Sequence, residues 1–111
     1  MATRYVPDRG DIVWLMFDPQ VGHEQAGHRP AVVLSPRNYN KASGLALMCP
    51  MTTKVKGYPF EVSISSSPQS GVVLADQIKS LDWTGRKATR KGAVSAQELE
   101  EIQAKCKALI G

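Results

Sequence analysis

Apolar residues gather in short runs fenced by Gly, Pro or polar turn residues, and before residue 95 no run keeps a helical period. The first, Ile12-Val13-Trp14-Leu15-Met16-Phe17, lies between Asp8-Arg9-Gly10-Asp11 and Asp18-Pro19 and reads as a buried strand. The second runs from Pro30 to Ser35, with the proline as first strand residue, where its missing N–H breaks no ladder bond. A polar connection over residues 36–44, with room for one helical turn, leads to a third strand at Leu45-Ala46-Leu47-Met48-Cys49 that Pro50 ends or edges. Phe60-Glu61-Val62-Ser63-Ile64 alternates apolar with polar, as a half-exposed strand does. After a turn rich in Ser, Pro and Gly at residues 65–71, Val72 to Leu81 reads as one long or broken strand on which Gln77 and Lys79 share a face.

The period changes near the end of the chain. Ser95-Ala96-Gln97-Glu98 is a capping box, in which serine and glutamate satisfy each other's first-turn N–H groups. Leu99, Ile102, Cys106 and Leu109 follow at helical spacing, with Glu98, Glu100 and Glu101 near the positive end of the helix dipole and Lys105 and Lys107 near the negative end. Short strands and one terminal helix predict a small mostly-β barrel. With 111 residues there is material for one modest core, so residues 1–111 are expected to form a single domain.

Charge sharpens this picture. The formal net charge is +4, and residues 26–94 carry ten Lys or Arg against three Asp or Glu, while residues 1–25 and 95–111 sum to −2 and −1. A basic middle suits nucleic acid; a solvated Lys/Arg surface is the plainer alternative. Cys49 and Cys106 are the only cysteines, and Cys49 sits in an apolar run as a small hydrophobe. Without a closely spaced Cys/His set, no disulfide framework, metal site or cofactor is expected. The start lacks the apolar stretch of a signal peptide and no run approaches the ~20 residues of a membrane span, so a reducing cytoplasm is the expected location, with no membrane partner.

Chemistry-bearing side chains concentrate in Glu24-Gln25-Ala26-Gly27-His28-Arg29-Pro30-Ala31-Val32-Val33-Leu34-Ser35-Pro36. Residues 18–29 read as a mobile, Gly-bearing loop that delivers Glu24, His28 and Arg29 to the mouth of a core strand. With Pro50-Met51-Thr52-Thr53, Lys56-Gly57-Tyr58-Pro59-Phe60 and Asp76-Gln77-Ile78-Lys79-Ser80 in the same order, the segment resembles the MazF/PemK family of toxin endoribonucleases. The similarity runs from Arg4-Tyr5-Val6-Pro7 to Leu109-Ile110-Gly111. It implies an SH3-like barrel with a C-terminal helix, a homodimer, and a sequence-specific, metal-independent endoribonuclease that attacks single-stranded RNA through the 2′-hydroxyl. The implied products are 2′,3′-cyclic phosphate and 5′-hydroxyl ends, cut at ACA-type sites in messenger RNA so that translation stops. The resemblance further implies a type II toxin–antitoxin pair whose antitoxin lays an acidic, flexible segment along the basic face.

Cleaving RNA without a metal requires removal of the 2′-hydroxyl proton, charge stabilisation on the phosphate, and protonation of the leaving 5′ oxygen. Arg29 suits the second task, because a planar guanidinium pairs bidentately with phosphate; as a plain surface cation it would pair with Glu24 instead. Thr52 is ordinarily a turn residue bonding its own backbone, and only the resemblance sets it beside the arginine at the scissile phosphate. Glu24 is suited to act as general base or to orient Arg29, and His28 to act as base or acid, histidine being the side chain that ordinarily titrates nearest neutrality. The resemblance ranks Glu24 above His28, and which group moves which proton stays open. For binding, Lys54, Lys56 and Tyr58 interleave charge with a ring, Lys79 and Arg86 add charge, and Asn40 and Gln77 offer amides that can read base edges. Two rival readings use the same barrel: a non-catalytic module binding RNA or protein, and a CcdB-like toxin that grips gyrase, which should lack the Arg29/Thr52 pair.

Overall fold

Strand β1 (Asp11–Phe17) forms where the sequence expects it, and everything else is laid beside it. A computed structural model describes residues 5–17, 27–65 and 70–111. The chain continues as β2 (Gly27–Val33), α1 (Arg37–Ser43), β3 (Leu45–Thr52), β4 (Glu61–Ile64), β5 (Gly71–Leu74), a 3-10 turn (Ala75–Gln77), β6 (Lys79–Asp82), β7 (Thr89–Ala93) and α2 (Ala96–Ile110). The strands make a curled antiparallel sheet in the order β4-β5-β3-β2-β1-β7, with β6 also paired to β3. Mostly-β architecture with a terminal helix is therefore observed.

Two prolines open gaps in this sheet, one on each edge of β3. Pro30 is not the first residue of its strand, for β2 begins at Gly27 and Pro30 pairs with Trp14 of β1. Having no N–H to exchange with Trp14, Pro30 turns its nitrogen to the other edge, where pairing with β3 is recorded only at Ala31↔Pro50, Val32↔Cys49 and Val33↔Met48. The ladder stops at the residue that cannot donate. Pro50 does not end β3 either; the alternation turns its nitrogen to the opposite edge, between the pairing with β6, which ends at Met48, and that with β5, which begins at Met51. Opposite that gap the partner chain carries three extra residues, the 3-10 turn. The run from 72 to 81 is thus a broken strand, and Gln77 and Lys79 do not share a strand face as expected, because Gln77 lies in the turn and Lys79 in β6.

Side-chain alternation gives the sheet a core on each face. Ile12, Val32, Cys49, Met51, Val62 and Val73 pack beneath Ile102 and Cys106 of α2, while Val13, Leu15, Ala31, Val33, Ala46 and Met48 pack with Leu81 and Trp83. Each fully buried aliphatic chain contributes about 1.5–3 kcal/mol. The capping box is observed, with Ser95 Oγ accepting from Glu98 N at 3.1 Å and Glu98 Oε1 accepting from Ser95 N at 2.9 Å. Of the expected stripe, Leu109 is half exposed and lies outside the core. Cys49 and Cys106 are free thiols with sulfurs 3.9 Å apart, and burial pushes both thiol pKa values up, so they behave as small hydrophobes.

Asn40 corrects an expectation. It lies in α1, fully buried, with Nδ2 donating to Pro7 O at 2.8 Å and Ser35 O at 2.9 Å, Oδ1 accepting from Ser35 Oγ, and its backbone O accepting from Trp83 Nε1 at 2.9 Å. An amide so occupied has nothing left with which to read a base. Asn40→Ala orphans three core partners and is expected to cost about 3 kcal/mol in urea unfolding, with activity unchanged where the variant is folded. A drop in kcat without loss of stability would return Asn40 to the site.

Candidate active site

The site lies where β2 and β3 part. Continuing their register one step beyond Ala31↔Pro50 sets Pro30 against Met51, and one step more sets Arg29 against Thr52. The recorded pairing stops short of both residues, and the lining of the hollows places Arg29 and Thr52 on either side of the open seam. Both line two adjoining hollows. One, of about 260 Å³, is bounded by Trp14, His28, Arg29, Thr52, Lys54 and Ser70. The other, of about 330 Å³, is bounded by Arg29, Thr52, Lys56, Tyr58, Asp76 and Gln77, among others.

Each wall has a local cause. Thr52 Oγ1 accepts from Lys54 N at 3.1 Å, the self-bonded turn geometry ordinary for threonine. That bond occupies a lone pair and leaves the hydroxyl proton available to a phosphate oxygen. Behind Thr52 stands Gly71, at φ +138°, where an added Cβ would lie 2.5 Å from the Thr52 carbonyl oxygen. Only glycine allows β5 to come so close. The Lys54–Pro59 loop is pinned by Glu61, whose carboxylate accepts from Lys56 N at 3.1 Å and Gly57 N at 3.0 Å. Lys105 of α2 donates to Pro59 O at 2.6 Å and Glu61 O at 3.1 Å, tying the helix to the same loop. Lys56 Nζ sits 5.8 Å from the Tyr58 ring centroid, and the ring is 59% exposed, open to a stacking base. The 3-10 turn opposite Pro50 brings Asp76 and Gln77 into the second hollow.

A guanidinium and a hydroxyl across an open seam, walled by lysines, a tyrosine and an amide, have the chemistry to cradle a phosphate and its neighbouring bases. Residues 8–110 match the family model described as PemK-like, MazF-like toxin of type II toxin-antitoxin system. The chain belongs to this family. The toxin is 58% identical to the endoribonuclease toxin MazF of Escherichia coli strain K12, with 100% of both chains covered. It is 35% identical to the endoribonuclease toxin ChpB of the same strain, covering 93% of each chain. A chain in the crystal structure of MazE-MazF from Deinococcus radiodurans matches with a TM-score of 0.91 at 51% identity, over 97% of this chain and 98% of that one. With these relatives, the protein is an endoribonuclease toxin of a type II toxin–antitoxin system.

In this MazF/PemK-like toxin, the residues expected from sequence are partly brought together. His28, Arg29, Thr52, Lys54, Lys56, Tyr58 and Gln77 line the two hollows. His28 and Arg29 belong to β2 itself rather than to a preceding loop, so the sheet fixes their backbone. Glu24, and most of the loop expected over residues 18–29, lie outside the described residues. Lys79, exposed on β6, and Arg86, between β6 and β7, line neither hollow. Arg86 joins the end of β1, its O accepting from Met16 N at 2.9 Å. Sequence reasoning missed Trp14, Ser70, Glu61 and Asp76 as lining residues. Trp14 carried a signal, since alternation along β1 sets it apart from buried Val13 and Leu15.

Proposed function

We propose that this toxin cuts single-stranded RNA, without a metal ion, by attack of a 2′-hydroxyl on the adjacent phosphate. The 2′ oxygen bonds to phosphorus, the P–O5′ bond breaks, and the products are a 2′,3′-cyclic phosphate and a 5′-hydroxyl. The observation that carries the reading is the Arg29–Thr52 pair facing across the seam between β2 and β3. Arg29 holds the phosphate oxygens through its fork and meets the charge that grows on them in the transition state; Thr52 donates its hydroxyl to the same group. Glu24 takes the 2′ proton or orients Arg29, and His28 serves as base or as the acid for the leaving oxygen. Lys54, Lys56 and Tyr58 hold the flanking strand, Gln77 reads a base edge, and Lys79 and Arg86 extend the positive field. Sites of ACA type in messenger RNA, a cytoplasmic setting and arrest of translation complete the reading.

Two partners belong to it. A second copy of the chain is supported by Leu45 and Leu47, apolar residues on one face of β3 that are each 37% exposed. An antitoxin with an acidic flexible segment is supported by the lysines and arginine around the hollows, which such a segment would cover in competition with RNA. The deciding experiment is digestion of a mixed-sequence single-stranded RNA in EDTA with the product ends mapped. Discrete cuts bearing cyclic-phosphate ends and sharing a short motif are expected. Binding without cutting, with or without Mg²⁺, would overturn the reading in favour of a binding module.

A further inference from the structure

On the far side of His28 from the catalytic pair the sheet carries a third hollow, about 360 Å³, lined by Trp14, His28, Thr89 and Lys91. Its position follows from pairing. Trp14 pairs with Pro30 on one side and with Thr89 of β7 on the other, and Lys91, the extra residue where the β1–β7 register shifts, lines the same hollow. The hollow shares Trp14 and His28 with the one that holds Arg29 and Thr52, so these two rings form the ridge between them. Their centroids are 6.4 Å apart with planes at 74°, an edge-to-face contact that sets the two rings against each other.

Trp14 is only partly buried and belongs to neither apolar core. An indole that no core uses, set beside an exposed histidine and an exposed lysine, with no carboxylate among the described residues that line the hollow, has the chemistry of a nucleotide subsite. Trp14 lies on the strand next to that of Arg29, so this hollow directly adjoins the one that holds Arg29 and Thr52.

We propose that Trp14, with His28 and Lys91, forms a stacking subsite for the nucleotide next to the scissile phosphate. The base lies on the indole and the adjoining phosphate meets Lys91. This rests on the ribonuclease reading above and names the residues that give that reaction its reach on one flank. An acidic protein segment is the other ligand with suitable charge, but the partly exposed ring beside a single lysine favours a base with its phosphate.

The test uses a pair of oligonucleotides around a mapped cleavage site, a short one and the same extended by a nucleotide on either flank. In the wild type, extension on one flank is expected to raise kcat/KM roughly tenfold, mainly through KM. Trp14→Ala should bring that ratio close to one, Trp14→Phe should keep most of it, and Lys91→Ala should lower the slope of log affinity against log salt by about 0.7. Binding of a 2′-deoxy-blocked extended strand should quench tryptophan emission, and Trp14→Phe should abolish the quenching, because Trp83 is buried. Circular dichroism shows whether Trp14→Ala is folded; Lys91→Ala, at an exposed position, carries the test if it is not. An unchanged length ratio in Trp14→Ala, or an unchanged salt slope in Lys91→Ala, overturns the subsite. So does loss of inhibition by an acidic antitoxin peptide in variants that still cut both strands with the wild-type ratio, which would give the hollow to the protein partner. A wild type that cuts neither strand sinks the ribonuclease reading itself, a result distinct from all of these.

Discussion

Arg29→Ala is expected to lower kcat by about 10²–10³-fold, the loss typical when one donor to a developing oxyanion is removed from a preorganised site. Affinity for a 2′-deoxy-blocked RNA should fall far less, because the lysines continue to hold the strand. Arg29→Lys keeps the charge and loses the fork, so its rate should lie between wild type and alanine. Single-turnover cleavage beside a binding isotherm separates the two effects. Unfolding free energies from urea titration within about 0.5 kcal/mol of wild type are expected, since the position is only partly buried. A rate within threefold of wild type would remove Arg29 from the chemistry.

A comparable loss is expected from a residue with no functional group. At Gly71 a methyl would stand 2.5 Å from the Thr52 carbonyl oxygen, and the backbone holds φ +138°, which side-chain-bearing residues rarely adopt. Gly71→Ala must push β5 away from the end of β3, carrying Thr52 out of line with Arg29. A displacement near 1 Å at a reacting group costs about 10²-fold in rate. The variant should also lose about 1–3 kcal/mol of stability through the strained backbone. Gly44 supplies the control. It too has positive φ, at +75°, but nothing lies within 4 Å of its would-be Cβ, so Gly44→Ala should lose stability and keep kcat. If Gly71→Ala destabilises while kcat holds, Thr52 tolerates the shift and the positioning argument fails.

Much of the fold was legible because burial leaves a pattern. The apolar run at residues 12–17, the alternation at 60–64 and the capping box at Ser95 each report a local cause, and each element is observed. Pro30 departs from the expected strand start for a physical reason: a missing N–H limits only one of a strand's two edges, and which edge depends on the neighbour. Strand β7 left no trace, since Thr89-Arg90-Lys91-Gly92-Ala93 contains no apolar run and its order comes from pairing with β1. Asn40 exposes another limit, because an amide that closes a core network is chemically the same as one that reads a base. The identities of Arg29 and Thr52 were legible from motifs. Their meeting was legible only through the family resemblance, because it depends on how two strands over twenty residues apart in the sequence lie together.

That arrangement separates two kinds of inheritance. The facing pair is carried by strands whose spacing hydrogen bonds dictate, so a deletion inside β2 or β3 would swing Arg29 or Thr52 to the wrong face. The β3–β4 connection, which carries Lys54, Lys56 and Tyr58, is under no such rule, and its side chains can be exchanged without shifting the pair. A lineage built on this seam is free to change which RNA it grips while keeping the means by which it cuts.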